Sequence, residues 1–403
     1  MISVETAIDR LRQTPSLQLA KQRVPLEQAL GYRVAENIVA EHNVPPADNS
    51  AMDGYAVRLR DLLAPGSNNK APALPISQRI PAGIAPTALA PNSCARIFTG
   101  GEIPEGADTV IMQENVSISG DWALFPTLPQ QAGENIRRRG QDIIAGQALA
   151  QRGQKITPAL LGLLASQGFG ALDVQRPLKI TLLSTGDEIV EPGKPLAAGK
   201  IYNSNFYTVS ALLKSWGRVE INYQHVADTL EATIAAFQDG AAQSDLIISF
   251  GGVSVGEEDH VKAAASAVGQ LELWKIKLKP GKPLMLGSIG QTPLLGLPGN
   301  PVSAFVTFTL FAKVLLNALT ATPYKAPLGI KMPIGFAIRK ARQRPEYIRA
   351  SLQGGYVHAA GNQSSGVLSS VNECEGLALI PEDTDLKRGD NVVFYPLESL
   401  IHG

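Results

Sequence analysis

The sequence predicts a multidomain α/β plus β protein whose central α/β domain has a parallel-type sheet with helices on both faces. At 403 residues, the chain is longer than one hydrophobic core usually accommodates, so several domains are expected. Apolar strand-like runs alternate with helical patterns between residues 178 and 320, which is typical of a sheet covered by helices. Before and after this region, short apolar runs separated by Gly and Pro predict β-rich domains.

The first part of the chain predicts a discontinuous helical domain. Residues 2–40 have apolar residues at helical spacing, which predicts helix. A second helical stretch, Pro158 to Ser166, is followed by Gly168, a typical terminator. Together these stretches predict a helical linker domain made of residues 1–44 and 133–176. The same patterns predict three further domains: a β-rich domain at 45–132, the α/β domain at 177–326 and a small C-terminal β-barrel-like domain at 327–403.

Strands and helices alternate regularly in the predicted α/β domain. The runs KITLLS, RVEINYQHV and DLIISF predict strands, and Ser204–Trp216 and Leu230–Gln238 predict helices. Right-handed crossovers place the loops that follow parallel strands at one edge of the sheet. Ligands of α/β proteins usually bind at that edge.

Composition excludes several classes of function. Lys plus Arg equals Asp plus Glu, which argues against a broad nucleic-acid footprint. The two cysteines, Cys94 and Cys374, exclude a disulfide framework and make a cysteine zinc site improbable. The N-terminal residues lack the apolar core of a signal peptide. The longest apolar stretch, Ala304 to Leu319, predicts a buried core helix, since a membrane span needs about 20 apolar residues. We therefore expect a cytoplasmic protein without a membrane or nucleic-acid partner.

Two loops in the α/β domain combine small residues with carboxylates. STGDE follows the first strand and contains Thr185, Gly186, Asp187 and Glu188; GGVSVGEEDH begins at Gly251 and follows the third strand. Small residues allow backbone N–H groups to surround a phosphate, and carboxylates are suitable Mg²⁺ ligands. The alternative is that the glycines only form turns and the acids only cap helices. Because both loops are expected at one sheet edge, we favour a phosphate and Mg²⁺ site.

Basic and turn residues follow these loops. In WKIKLKPGKPL, Lys275, Lys277 and Lys279 alternate as they would on one face of a strand. A bound anion would relieve their repulsion, although an edge strand protected by lysines is an equally good interpretation. In LGLPGNPVSAF, Pro301 is placed to begin a helix whose N-terminus would favour an anion.

The predicted β-rich region contains three polar segments. PPADNSAMDGYAV includes Asp53, RIFTGGEIPEGADTVIMQE includes Thr99, and GENIRRRGQDI includes Asp142. Taken singly, each segment is more typical of a turn or a solvated charge run than of a binding site.

Together, these strings resemble the molybdopterin molybdenumtransferase family, which includes the C-terminal enzymatic domain of gephyrin. The resemblance rests on collinear strings that run across almost the whole chain: NSAMDGYAV, RIFTGGEIPEGADTVIMQE, GENIRRRGQDI, STGDE, GGVSVGEEDHVK, KPGKP, GLPGNPVSA and SSGVLSS. One departure is His260, where the family often has tyrosine.

The resemblance implies an elongated homodimer of four-domain chains. It implies an active site between the α/β domain of one subunit and the small β domain of the other. It also implies a reaction in which molybdate and adenylyl-molybdopterin give molybdenum cofactor and AMP with Mg²⁺. A molybdopterin adenylyltransferase would act upstream.

The resemblance also implies roles for individual residues. It assigns Asp187, Glu188 and Asp259 to the metal and phosphate end, and Asp228 as a further required acid. It assigns Thr185, Gly186, Gly251, Gly252 and Ser254 to the pterin-phosphate loops, beside Pro298 and Pro301. It assigns Lys275, Lys279, Arg349 and Ser370 to a molybdate pocket, with Lys277 as an alternative to Lys275. Asp53, Thr99 and Asp142 are expected to reach the cleft from the β-rich and linker domains.

Two other functions fit parts of the sequence. A molybdopterin adenylyltransferase would use similar α/β loops but would need little more than that domain. The other alternative is a non-enzymatic scaffold, since gephyrin also has a scaffold function. A separate N-terminal module and a long linker would favour that function, and the sequence shows neither. The sequence does not distinguish molybdate from tungstate, which have nearly the same size and charge.

Overall fold

The computed structural model describes residues 1–63, 71–252, 260–339 and 342–402. The helices in this part of the chain are α1 (Val4–Arg12), α2 (Leu59–Leu62), α3 (Pro158–Ser166), α4 (Ser204–Trp216), α5 (Leu230–Gln243), α6 (His260–Val268), α7 (Pro301–Thr307), α8 (Lys313–Leu319), α9 (Ser369–Asn372) and α10 (Leu397–Ile401).

The strands of the same part are β1 (Lys21–Pro25), β2 (Arg33–Val34), β3 (Ile38–Val39), β4 (Asn49–Ser50), β5 (Gly54–Val57), β6 (Ala73–Ile80), β7 (Cys94–Ile97), β8 (Thr109–Met112), β9 (Ser117–Ser119), β10 (Trp122–Leu124), β11 (Ile136–Arg137), β12 (Ala148–Ala150), β13 (Ala171–Gln175), β14 (Leu178–Thr185), β15 (Ile189–Val190), β16 (Ile201–Tyr202), β17 (Val219–Val226), β18 (Leu246–Phe250), β19 (Gly269–Lys275), β20 (Pro283–Ile289), β21 (Thr292–Leu297), β22 (Ile330–Pro333), β23 (Glu346–Gln353), β24 (Tyr356–Ala359), β25 (Gly376–Ile380) and β26 (Asn391–Pro396).

The chain divides into two compact units. The first comprises residues 1–36, 152–157 and 171–403. The second comprises residues 37–151 and 158–170. The predicted α/β and C-terminal domains both belong to the first unit, and the predicted β-rich domain belongs to the second.

The α/β sheet has the strand order β17-β14-β18-β21-β20-β19. The first four strands are parallel, whereas β20 and β19 form an antiparallel hairpin at one edge. The central strands are buried along most of their length, as apolar runs covered on both faces should be. The α/β prediction is therefore confirmed, with the addition of an antiparallel edge.

Helices cover both faces of this sheet. Apolar residues of α1, α4, α7 and α8 form one core with β14 and β18, and α5 and α6 pack in a second core that includes Leu183 and Ile247. The helical segment Pro301–Leu319 is long and apolar enough to cross a bilayer, but 89% of its apolar window is buried within the protein. It lies in the first core, as the sequence predicted.

The C-terminal strands form an antiparallel sheet in the order β22-β26-β25-β23-β24. An additional bridge between Ile334 and Val357 joins the two ends of this order and gives a barrel-like closure. Tyr347, Leu377 and Leu400 of this domain belong to the same hydrophobic core as the α/β strands. The two domains therefore bury apolar surface together.

The second unit contains a sheet with the strand order β8-β5-β7-β6-β10-β9. Its two faces are covered by separate apolar groups, one around Phe125 and one around Ile97. Strand β5 packs closely against β8, since a Cβ on Gly54 would lie within overlap distance of the Ile111 carbonyl oxygen. The β-rich prediction is confirmed.

The predicted helix over residues 2–40 is wrong beyond α1, which ends at Arg12. Residues 21–25 instead form β1, which pairs with the distant strand β13. The helical spacing of apolar residues near Leu26 corresponds to one turn of 3-10 helix, Leu26–Gln28. A pairing partner about 150 residues away in the sequence overrides a weak local helical pattern.

Candidate active site

The carboxyl ends of the parallel strands meet at one edge of the α/β sheet. Strand β14 lies between β17 and β18, with Thr185 opposite Val226 and Ser184 opposite Phe250. The STGDE loop and the beginning of the GGVSVGEEDH loop are therefore neighbours, as predicted. Gly186, Gly251 and Gly252 have φ of 125°, 81° and 64°, which are values that glycine adopts without strain. Such backbone turns can present N–H groups to an anion, although the Gly251 N–H itself donates to Leu297 O.

Carboxylates lie at the same edge. Asp187 and Glu188 are exposed after β14, and Asp228 is exposed after β17. The Asp228 backbone N–H donates to Asp187 Oδ1 over 3.4 Å. The Glu188 carboxylate folds back over Gly186, where a Cβ would lie 2.5 Å from Oε2. Gly186 allows this loop conformation because its φ of 125° is one that a residue with a side chain rarely adopts.

The described residues hold no group of three His, Cys, Asp or Glu side chains placed to bind a metal ion. Asp259, the third predicted metal ligand, and Ser254 lie outside the described residues. The carboxylates that the structure does describe do not make a Mg²⁺ site by themselves.

A partly buried hydrogen-bond network supports the STGDE loop at Ser184, the first residue of that loop. The Asn203 amide donates to Ser184 Oγ, Glu191 Oε1 and the Tyr223 hydroxyl, while its carbonyl oxygen caps α4. Burial and the hydrogen bond to Glu191 raise the pKa of Tyr223 to about 12, so its hydroxyl stays protonated and donates to Glu191 over 2.7 Å. Sequence analysis missed this network, although an Asn before the predicted start of α4 is a typical cap.

Beside this edge lies a cavity of about 650 Å³. It is lined by the α/β domain and by the C-terminal domain of the same chain, through Gly251, Gly252, Lys279, Pro280, Gly281, Lys282, Pro283, Pro298, Gly299, Asn300, Ser303, Arg344, Glu346, Asn362, Gln363, Ser364 and Ser365. Backbone hydrogen bonds fasten the two domains together here: Lys279 N–H donates to Pro345 O, and Tyr347 N–H donates to Lys279 O.

The charged residues in the lining of the cavity are mainly cations. Lys279, Lys282 and Arg344 contribute positive charges, and Glu346 contributes a carboxylate. The Lys279 ammonium lies 3.0 Å from Glu346 Oε1, and Arg342 Nε donates to Glu346 Oε2. Hydroxyl and amide groups of Ser303, Asn362 and neighbouring residues complete the wall. Cations and hydroxyl donors in one cavity are suited to a tetrahedral oxyanion.

The second unit carries its own polar group. Asp53 Oδ1 accepts hydrogen bonds from the Thr99 N–H over 2.8 Å and from the Thr99 hydroxyl over 2.7 Å. These two bonds lower the pKa of the Asp53 carboxyl. Asp142 is exposed, and its N–H donates to Val44 O. The structure thus brings Asp53 and Thr99 together, while Asp142 has no described contact with either.

Family models and relatives account for nearly the whole chain. Residues 2–168 match the MoeA N-terminal region (domain I and II), residues 181–318 match a probable molybdopterin-binding domain, and residues 331–397 match the MoeA C-terminal region (domain IV). The molybdopterin molybdenumtransferase of Haemophilus influenzae is 36% identical over 100% of both chains. The chain belongs to the molybdopterin molybdenumtransferase family.

Further comparisons agree. Molybdopterin molybdenumtransferase 2 of Mycobacterium tuberculosis is 35% identical, covering 89% of this chain and 91% of its own. The crystal structure of the molybdopterin biosynthesis moeA protein from Pyrococcus horikoshii OT3 aligns with a TM-score of 0.81 at 25% identity, over 98% of this chain and 100% of that one. The chain is thus a transferase of molybdenum cofactor biosynthesis. The adenylyltransferase alternative does not account for the matches outside the α/β domain.

The lysines that family resemblance assigned to the oxyanion have different positions. Lys279 lines the cavity, but Lys275 is exposed at the end of β19 and does not line it. Lys277 donates to Glu382 over 2.7 Å. The predicted alternation holds in burial, since Trp274, Ile276 and Leu278, which alternate with the lysines, are buried. However, β19 ends at Lys275, and of the three lysines Lys279 alone lines the cavity. Lys282 and Arg344, which were not predicted, line the cavity instead.

Arg349 and Ser370 lie behind the cavity wall rather than in it. Arg349 is 1% exposed and Ser370 is fully buried. Arg349 Nε donates to Ser370 Oγ over 3.1 Å, and Nη2 donates to the carbonyl oxygens of Asn362 and Ser364. The Arg349 guanidinium therefore holds the segment that lines the cavity without lining it itself. The sequence pattern did not indicate Asn362 and Gln363, and it assigned no role to Ser364 and Ser365, which begin the quoted string SSGVLSS.

Two further expectations concern turns and subunits. Pro298 lines the cavity, and Pro301 begins α7 as predicted, with Asn300 before it. Both walls of this cavity come from the same chain, and the expectation that the C-terminal domain of a partner subunit faces the α/β domain stays a prediction. The backbone bonds around Lys279 and the shared hydrophobic core explain why the domain stays with its own chain.

Proposed function

We propose that this chain inserts molybdate into adenylyl-molybdopterin and releases molybdenum-loaded molybdopterin and AMP. The observation that carries the proposal is the cationic cavity beside the sheet edge, with Lys279, Lys282 and Arg344 in its lining. Molybdate is a tetrahedral dianion, which charged donors in a confined space bind well. The glycine turns at Gly186 and Gly251 are suited to the phosphate end of the pterin substrate. Holding both substrates at one edge replaces a random encounter with an oriented one.

The remaining predicted residues take supporting roles in this proposal. Thr185, Gly252 and Asp228 border the phosphate end, and Pro298 and Pro301 shape the turn beside the oxyanion. Ser254, which lies outside the described residues, keeps the pterin-phosphate role that the family resemblance implies. Arg349 and Ser370 act by holding the cavity wall. We also propose that Asp53, Thr99 and Asp142 contribute to the reaction from the second unit. The support for this part is the family resemblance and, for Asp53, the fixed orientation of its carboxylate.

Lys279→Gln should weaken molybdate binding roughly tenfold. The substitution keeps a polar side chain of similar length but removes a charge-assisted contact, which contributes about 1.5 kcal/mol. Lys277→Gln is a matched control, because Lys277 lies two residues away and pairs with Glu382 outside the cavity. Isothermal titration with sodium molybdate measures both. Equal affinities for the two variants would contradict the placement of the oxyanion.

We propose that the reaction depends on Mg²⁺, with Asp187, Glu188 and Asp259 as ligands. The support is the pair of exposed carboxylates after β14, beside the glycine turns. Such an ion would polarise the phosphoanhydride of the adenylate. Chelation should lower the rate of AMP release at least tenfold, and added Mg²⁺ should restore it. Asp259→Ala should raise the Mg²⁺ concentration needed, because it removes a hard oxygen ligand. A variant with an unchanged Mg²⁺ requirement would rule out that ligand.

The family resemblance further supports a homodimer in the cytoplasm and a molybdopterin adenylyltransferase that supplies the substrate. Sedimentation of the purified chain tests the dimer, since a chain mass of 42.8 kDa should then appear doubled. Activity with tungstate in place of molybdate measures the choice of oxyanion.

A further inference from the structure

Glu346 places a carboxylate in the wall of an otherwise cationic cavity. It begins β23, lines the cavity and is 6% exposed. Two cations hold it, Lys279 on one oxygen and Arg342 on the other. A carboxylate in this position competes with an entering anion for the Lys279 ammonium.

The charge on Glu346 is maintained by its partners. Burial alone raises the pKa of this carboxyl, but the hydrogen bonds and charges of Arg342 and Lys279 outweigh burial and hold the pKa below its ordinary value. The carboxylate is therefore ionised at neutral pH. Lys279, Arg342 and Glu346 together contribute one net positive charge rather than two.

The side chains of Lys279 and Arg342 differ in conformational freedom. The Lys279 side chain is 56% exposed, and its ammonium is a flexible point charge that can turn toward a ligand in the cavity. The Arg342 side chain is 25% exposed, and its Nη1 is buried without a hydrogen-bond partner among the described residues. Arg342 can therefore keep Glu346 neutralised after Lys279 has turned away.

We propose that Glu346 acts as the resident counter-ion of the cavity, and that Lys279 exchanges Glu346 for the incoming oxyanion. This inference rests on the proposed function of the cavity. The exchange lowers oxyanion affinity, since each binding event must separate an ion pair. The exchange also assists release of the oxyanion, because Glu346 competes with the oxyanion for Lys279. A site that passes its substrate onward needs this balance between capture and release.

Glu346→Gln tests the exchange directly. The amide keeps the size and the hydrogen-bonding oxygen but removes the competing charge. Titration with sodium molybdate alone should show binding roughly tenfold tighter than in the unaltered protein, the size of one partly screened charge interaction. Glu382→Gln is the matched control: it removes the carboxylate partner of Lys277, outside the cavity, and should leave affinity unchanged.

A double variant isolates Lys279. In the Lys279→Gln background, Glu346→Gln should gain less than twofold, because the exchanged cation is gone. A Glu346→Gln protein that circular dichroism shows to be folded, but that binds molybdate no more tightly than the unaltered protein, would overturn the exchange. A full gain in molybdate affinity in the double variant would also overturn it. If Glu346→Gln does not fold, Glu346→Asp replaces it, because the shorter side chain withdraws the charge from Lys279 by one methylene. Glu346→Asp should bind molybdate about threefold tighter, and an unchanged affinity would overturn the exchange. Failure of the unaltered protein to bind molybdate would instead refute the proposed function and the exchange with it.

Discussion

Arg349→Ala should lower the free energy of unfolding by about 3–5 kcal/mol and reduce molybdate binding more than a hundredfold. The side chain is 1% exposed, and its loss leaves a buried space and deprives the Asn362 and Ser364 carbonyl oxygens of their donors. The segment 362–365 then loses its support, and with it one wall of the cavity. Urea denaturation measures the stability, and titration of the folded fraction measures the binding.

Two companion variants identify the role of Arg349. Ser370→Ala removes one of the three bonds and should lower stability by about 1 kcal/mol. Arg349→Lys keeps the charge but cannot reach three acceptors in a fixed plane, so it should also be destabilised. A stable Arg349→Ala protein whose activity returns at high molybdate would show that the guanidinium contacts the oxyanion instead.

Gly281→Ala should lower the free energy of unfolding by about 2–4 kcal/mol and weaken molybdate binding at least thirtyfold. Gly281 has φ of 103°, which disfavours a side chain. A Cβ there would also lie 2.5 Å from Thr307 Cγ2, which adds overpacking. The turn that carries Lys279 and Lys282 must shift to relieve both, and the cations leave their positions in the cavity.

Thr307→Ser separates the two causes. Serine removes Cγ2 but keeps the hydroxyl that bonds to Ser303 O and Ala304 O. In the Thr307→Ser background, Gly281→Ala should recover the part of the loss that comes from overlap, while the backbone strain remains. A Gly281→Ala protein with unaltered stability and binding would show that the turn tolerates a side chain and does not fix the lysines.

The α/β fold was predictable because its signals are local. Helix α4 was predicted with its observed bounds, since it has an apolar face, a capping Asn203 and a terminating Gly217. The short strands β1 to β3 were not predictable in the same way. Strand β1 forms because it pairs with β13, and no residue near β1 in the sequence indicates that pairing.

The cavity was predicted only in part, for a different reason. The first residues of β23 are buried on both faces, including the charged Glu346 and Arg349, and charged residues ordinarily indicate a solvated face. The sequence therefore could not show that Arg349 turns inward and Glu346 faces the cavity. Lys277 and Lys279 have the same spacing pattern in the sequence, yet ion pairs with Glu382 and Glu346 direct them to different surroundings.

The hydrophobic core that the α/β and C-terminal domains share links ligand binding to folding. Because Tyr347 and Leu377 are packed with the strands and helices of the α/β domain, the cavity is complete only when both domains have folded. If the cavity binds the oxyanion as proposed, binding should stabilise the whole unit against unfolding, by about 2.7 kcal/mol at a concentration one hundred times the dissociation constant. The supply of oxyanion in the cell would thus regulate the lifetime of this enzyme as well as its turnover.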